Sequence, residues 1–421
     1  MSKVVRVALI GISGYGGTYL EPLLDAALAA KHGFALVGVA DVCPQRCPRL
    51  GDLLAAGVPV ERSAAALLDK VSADLVVIAT PIHLHEQHAR LALARGAHVL
   101  CEKPLSGDVA GARRMMEAAQ AAGRFLAIGY QWSFSKAVMA LRADVLGGAL
   151  GRPLRLRTTA TYPRGEAYFR RSDWAGRLHV PGGAPVFDSP ANNATAHFLH
   201  NMFFVLGDAS APATVQAELY RANAIENYDT CAIRCTMASD GAAAGAEVLF
   251  YTTHAAPVRI APRCVFEFEH ARVTFDGDAA RPAFEAEFVD GFRKSYGNPN
   301  DEPLGKLWQC VAAARHGGAV ACDAAAAMPH VRCIAAAQAS AEILPFPISL
   351  RRSHLDVVMG QGKMVLIEGL QRTLDESFAA GGLPAELGLY DWASPGRVVG
   401  VDENDAAAAN APCNASFAEA V

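Results

Sequence analysis

The chain has 421 residues, more than one hydrophobic core usually serves, so two domains are expected. With 52% hydrophobic and 19% charged residues it can bury a large core, and a net charge of −4 excludes the basic field that nucleic acid or an anionic lipid surface requires. The N-terminus enters strand character without a leader-like apolar region, no apolar run is long enough to span a bilayer, and the ten cysteines lie scattered. A cytoplasmic protein with reduced thiols and a small-molecule partner is the expectation, with no nucleic-acid or membrane partner.

Residues 4–10 form a β-branched apolar run that breaks into Gly11-Ile12-Ser13-Gly14-Tyr15-Gly16-Gly17, after which a helix is expected over 18–30. Strand, glycine turn and helix is the setting of a dinucleotide-binding loop. Gly11 permits the tight turn, the small Ser13 stands where the backbone approaches a pyrophosphate, and Gly16 allows close helix–strand packing. The next strand, 35–40, ends at Asp41, where a carboxylate accepts hydrogen bonds from the adenosine ribose and repels a 2′-phosphate. NAD is therefore favoured over NADP, although Arg46 or Arg49 could hold a phosphate.

Alternation continues with helices over 49–56 and 63–70, a strand over 74–79 and the loop Thr80-Pro81-Ile82-His83-Leu84-His85-Glu86 leading a helix to Arg95. His83, His85 and His88 suggest a metal, as do Cys43 and Cys47, but only His85 and His88 share a helical face and no second donor pair follows, so no metal is expected. His98 to Cys101 is a short buried strand ending in Glu102-Lys103-Pro104; a helix over 108–122 and a strand over 125–130 follow. Helices regularly separating apolar strands indicate right-handed βαβ units and a doubly wound parallel sheet, so residues 1–130 read as a Rossmann domain. Ligands bind at the carboxyl ends of such strands, where Lys103 falls.

From Gln131 the pattern changes to a helix near Lys136 to Leu146 and then to period-two segments: 214–219, 228–236, Glu247 to Thr253 and 265–269. One polar face at period two indicates antiparallel sheet, so 131–400 reads as an α+β domain with a large, mostly antiparallel sheet. Helices are expected over 302–315, 329–343 and 363–379, the first a candidate to return to the first domain, and a loose tail over 401–421. Ser189 can cap a helix over 190–206 whose first residue is Pro190.

With Gly11-x-x-Gly14-Tyr15-Gly16, Asp41, Ala79-Thr80-Pro81-x-x-x-His85 and the run from Gly96 to Leu105 in order, the chain resembles the Gfo/Idh/MocA oxidoreductases, the glucose–fructose oxidoreductase and inositol dehydrogenase family. The likeness is dense across 4–130 and thin beyond. It implies a nicotinamide cofactor held by Gly11, Ser13, Gly14, Tyr15, Gly16, Asp41, Thr80, Pro81, His85, Glu102 and Lys103. It implies a sugar, cyclitol or related polyol as substrate, and a homo-oligomer, a dimer or tetramer, built on the outer face of the large sheet. Lys103 would contact both the nicotinamide ribose and the reacting hydroxyl.

The family carries an aspartate and, four residues later, a proton-shuttling histidine; Asp188 matches the first and Asn192 stands at the second. An amide can hold a hydroxyl but cannot take its proton. On a regular helix His197 turns about 140° away from Asn192, onto a face with Asn193 and His200, which makes it a poor replacement. The catalytic set is then Lys103 as base, with Asp188 and Asn192. Tyr162 and Trp174 are candidate substrate contacts with His197, and Arg164, Arg170, Arg171 and Arg177 either solvate the loop, the favoured reading, or recognise a carboxylate. The reaction implied is hydride transfer between NAD(P) and a hydroxyl-bearing carbon; the alternatives are a redox-assisted glycosidase that retains NAD, or a dinucleotide-binding regulator without catalysis.

Overall fold

The computed structural model describes residues 4–207, 211–238, 241, 243–356 and 360–401. Its first sheet contains six parallel strands, β1 (Val5–Ile10), β2 (Phe34–Ala40), β3 (Val60–Glu61), β4 (Leu75–Ile78), β5 (His98–Cys101) and β6 (Leu126–Ile128), in the order 3-2-1-4-5-6. This is the order of a dinucleotide-binding sheet, with its switch point between β1 and β4. All four residues of β4 are buried, because helices cover both faces of a parallel sheet. The helix Val109–Ala122 begins where Asp108 accepts from Gly111 N at 2.6 Å and ends at a left-handed Gly123.

The helix expected over 18–30 is two helices, Gly17–Leu24 and Ala26–His32. Asp25 breaks it: its backbone is extended and its carboxylate accepts from Ala27 N and Leu28 N, a cap being a better site for aspartate than a helix interior.

The second sheet has ten strands: β7 (Pro153–Thr161), β8 (Pro212–Arg221), β9 (Thr230–Met237), β10 (Glu247–Thr253), β11 (Ile260–Phe268), β12 (Ala271–Asp276), β13 (Phe284–Phe288), β14 (Arg293–Gly297), β15 (Ile343–Pro345) and, after the hairpin β16 (Arg351–Asp356) and β17 (Gly362–Ile367), β18 (Val399–Gly400). It is mostly antiparallel; only β7 with β10 and β8 with β15 run parallel. Leu156, Ala217, Ile233, Phe250 and Phe266 alternate inward and join the main core with the first domain.

Three expected boundaries move. Residues 363–367 are strand β17, a run of Met364-Val365-Leu366-Ile367 paired with β16, and the helix begins only after the left-handed Gly369, at Leu370–Ala380. The helix expected over 329–343 spans Ala324–Ser340: Asp323 caps it by accepting from Ala326 N, Pro329 is carried inside, and residues 343–345 join the sheet instead. The helix expected over 302–315 is Gly305–His316. It packs on β1, β4 and β5, and the helix Ala324–Ser340 packs on Val109–Ala122, so 305–340 returns to the first sheet.

The outer face of the large sheet is not wholly open. Tyr220, Leu249 and Tyr251 project from it into a second apolar cluster closed by Leu370, Leu374 and Leu383 of the chain's own C-terminal segment. The tail expected over 401–421 lies, apart from the buried Val401, outside the described residues.

Candidate active site

The glycine loop leaves β1 at the switch point. Gly11 has φ +86°, and a Cβ there would lie 2.7 Å from Ala79 O; a Cβ at Gly16 would lie 2.0 Å from Gly11 O. The turn therefore admits no side chain at either position. Gly14, at φ +57°, has open space around it. The hydroxyl of Ser13 is buried without a partner, and Asp41 at the end of β2 accepts from Ile12 N at 3.0 Å and Ser13 N at 3.1 Å. An orphaned hydroxyl, loop amides and a carboxylate beside a glycine cradle fit a dinucleotide.

Lys103 follows β5, half-buried. Burial pulls its pKa down to about 8; Glu102 and Asp188 oppose that shift, while Lys306 and Arg171 reinforce it. Nζ donates to Asn193 O and to Asn193 Oδ1, both at 2.8 Å. His85 is buried with Nδ1 2.8 Å from Pro104 O and Nε2 2.9 Å from Thr80 O, so it clips the loop after β4 to the turn after β5. Burial lowers its pKa despite both carbonyls. His88 faces Thr80 Oγ1 at 3.1 Å, and burial pulls its pKa down to about 4. These histidines are spent on holding loops.

The Asp188 segment comes from the second half of the chain. Gly107 brings it to the Lys103 turn, since a Cβ at Gly107 would lie 2.2 Å from Pro185 O. Phe187 sits at φ +42°, a strained conformation for a bulky residue. Asp188 is buried; it accepts from Gly176 N and from Asn193 Nδ2, each at 2.7 Å, with Arg171 3.8 Å away. Burial raises its pKa, opposed by Arg171, Gly176, Asn193 and Lys103.

Asn192 has no hydrogen bond to Lys103 among the described residues. Its amide donates to Val186 O at 3.3 Å and Phe187 O at 3.2 Å, which holds the strained turn before Asp188. Asn193 takes the place beside the lysine. The helix expected over 190–206 explains the change. Ser189 caps it and Pro190 is its first residue, as read from sequence, but Pro190–Ala194 is a π-turn closed by Thr195 N to Pro190 O, and the α-helix Ala196–Leu206 starts afresh. A projection of 100° per residue fails across that break. His197 accordingly lies with its ring edge to Tyr130, centroids 5.8 Å apart, and within electrostatic reach of Lys103. Burial, then the Lys103 charge, push its pKa well below the ordinary value, and its Nδ1 is buried without a partner. Asn193→Ala is expected to lower turnover about tenfold with stability nearly unchanged, whereas Asn192→Ala should lower the melting temperature by several degrees. Parallel thermal and activity measurements check this contrast.

A wall of aromatic rings and arginines adjoins Asp188. The Arg171 guanidinium lies 3.6 Å from the Tyr168 ring centroid and 4.8 Å from that of Trp174, and Arg164 covers Tyr168 at 4.8 Å. Tyr162 lies beneath Arg259 at 4.8 Å. Arg171 and Arg164 are thus packed parts of the wall, while Arg170 is solvated and pairs with Glu166. The sequence reading missed Asn193, Arg171 and Lys306. The last pairs with Glu102 from the helix Gly305–His316, and no local signal marks a lysine that will fold back over so long a separation.

The fold and this site define a dinucleotide-binding type of Rossmann domain with a second, largely antiparallel sheet domain. Residues 5–130 match the Gfo/Idh/MocA oxidoreductase family, NAD-binding Rossmann fold. Inositol 2-dehydrogenase of Streptomyces avermitilis is 37% identical over 160 residues, 38% of this chain and 45% of that protein. D-glucoside 3-dehydrogenase of Escherichia coli is 27% identical over 211 residues, 49% of this chain and 55% of that one. The matches span about half the length of these relatives. The WlbA dehydrogenase of Bordetella pertussis, solved with NADH and UDP-GlcNAcA, shares the fold at a TM-score of 0.66 and 20% identity over 82% of this chain and all of that one (100%). No helix among the described residues is long and apolar enough to cross a membrane.

Proposed function

We propose that this chain is an NAD-dependent oxidoreductase that transfers a hydride between the cofactor and a hydroxyl-bearing carbon of a sugar, cyclitol or related polyol. The observation that carries the reading is the amine of Lys103: it stands at the carboxyl end of β5, is brought close to its neutral form by burial, and is aimed by Asn193 and Asp188. The names of the relatives, an inositol dehydrogenase and a glucoside dehydrogenase, support the substrate class.

Gly11, Ser13, Gly14, Tyr15, Gly16 and Asp41 would hold the dinucleotide, with Thr80, Pro81, His85 and Glu102 shaping the nicotinamide end. When bound, the nicotinamide supplies the hydride acceptor or donor. Lys103 holds the substrate hydroxyl and takes its proton at Nζ; Asn193 and Asp188 orient that amine. Asp41, its carboxylate beside the loop amides, favours NAD over NADP. His197, kept neutral by burial within electrostatic reach of Lys103, offers a hydrogen-bonding partner for a substrate hydroxyl and not a base, and Tyr162 and Trp174 offer faces for a sugar ring. A cytoplasmic site fits the nine free cysteines among the described residues. Self-association is proposed through the exposed Val289 and Phe292 in the turn between β13 and β14, at the edge of the large sheet, and light scattering tests it.

The pH dependence has a definite sign. Oxidation needs the neutral amine, so kcat/KM for oxidation should rise with pH and level off above about 8; reduction needs the ammonium and should fall through the same range. Purified protein given NAD and NADP separately with cyclitols, aryl glucosides and sugar acids tests the activity by formation of NADH or NADPH. Aglycone release without net NADH would replace this reading with redox-assisted glycoside cleavage.

A further inference from the structure

One cation of the first sheet's ligand end belongs to the second half of the chain. Lys306, in the first turn of the helix Gly305–His316, is only 2% exposed. Its ammonium pairs with Glu102 and donates to Tyr15 Oη at 3.1 Å and to Gly129 O at 3.4 Å. It lies 5.0 Å from the Tyr15 ring centroid and 5.3 Å from that of Tyr19, and Tyr19 Oη donates to the same Glu102 oxygen at 2.5 Å. The cluster is closed on its remaining side by Gly129, where a Cβ would lie 2.9 Å from Glu102 Oε1.

A buried ion pair is weak evidence for stability, since a well-packed apolar pair avoids the desolvation cost. What sets this one apart is its place. Glu102 directly precedes Lys103, and a buried carboxylate there, left alone, favours the ammonium and keeps the amine from giving up or accepting a proton near neutrality. We propose that Lys306 is a positioning residue for proton transfer at Lys103: it offsets the charge of Glu102 and, through Tyr15, ties the glycine loop to the turn that carries the reacting amine. This role rests on Lys103 handling the substrate proton, as proposed above.

The surroundings of both groups are consistent with it. Lys103 faces Glu102 and Lys306 on one side and Asp188 and Arg171 on the other; His85, His197 and His330 also feel its charge, and burial favours the neutral form of each. Glu102 faces Tyr19, Cys101, His85 and Lys306. Burial pulls the Lys306 pKa down, but Glu102 and Tyr15 more than offset it and leave it above the ordinary lysine value. Lys306 therefore stays charged while Lys103 titrates.

The test is the titration midpoint of Lys103 itself, read as the pH dependence of its acetylation by a trace of acetic anhydride, with mass spectrometry of the Lys103 peptide. In Lys306→Met the midpoint should rise by about one pH unit, about tenfold fewer free amines at neutral pH, and NAD+ alone should bind several-fold more weakly. In Lys306→Met combined with Glu102→Gln, which removes both buried charges, the midpoint should return to within about 0.3 unit of wild type. In Glu102→Gln alone it should fall below wild type. An unmoved midpoint in folded Lys306→Met overturns the role. Should that variant fail to fold, a double variant whose midpoint falls as far as in Glu102→Gln overturns it. Acetylation needs no substrate, so a midpoint that moves as stated in a protein that transfers no hydride would count against the proposed activity and leave this electrostatic coupling standing.

Discussion

Lys103→Met is expected to lower hydride transfer about a thousandfold while NAD+ affinity changes by no more than a few-fold. Methionine keeps the length and apolar stem of lysine, so the fold around β5 should persist. The amine, however, has two tasks: it holds the substrate hydroxyl and it takes or returns the proton. Asn193 and Asp188 cannot substitute. The first is an amide without a titratable proton, and the second already accepts from Gly176 N and Asn193 Nδ2 with Arg171 nearby. Stopped-flow measurement of NADH formation beside a fluorescence titration with NAD+ separates the two effects. Turnover within tenfold of wild type would remove Lys103 from the chemistry.

The second large effect is expected at Gly16. A methyl group there would lie 2.0 Å from Gly11 O and 2.8 Å from Gly11 C, both backbone atoms of the loop itself, so the turn must open. Gly16→Ala should weaken NAD+ binding by at least about a hundredfold and, through overpacking, destabilise the fold by about 1–3 kcal/mol. Gly17→Ala is the control. Its Cβ would meet only Ile12 O, at an ordinary 3.5 Å, and NAD+ affinity should hardly change. Calorimetric titration with NAD+ checks the pair, and equal losses in both variants would show that the loop does not bind through this close approach.

The first sheet is legible in the sequence because its signals are local. Val4 to Ile10 and Asp74 to Ala79 are short apolar runs between turn residues, and Gly11, Gly16 and Asp41 stand at strand ends where the chain order alone places them. Legibility fails where local and distant preferences compete. Asp25 is an acceptable helix residue by periodicity, yet capping two amides serves it better. Met364 to Ile367 lead into a helical pattern, but pairing with β16 claims them as a strand.

In the site the same division holds. Lys103, Asp188 and the Ser189 cap with Pro190 at the first turn follow from motif and capping chemistry. The choice between Asn192 and Asn193 does not, because one π-turn takes in an extra residue and so changes the face each residue presents, and no composition signal announces it. Lys306 is illegible for a different reason: its meaning depends on a contact with Glu102 across 204 positions.

The most direct test of the central claim follows the hydride itself. Wild-type protein is incubated with NAD+ and substrates carrying deuterium on the carbinol carbon, drawn from the cyclitol and glucoside panel, and the mass of the cofactor is measured. Transfer predicts NADH one deuterium heavier, formed by wild type and absent with Lys103→Met. Substrate consumed with no deuterium in the recovered cofactor would contradict the account.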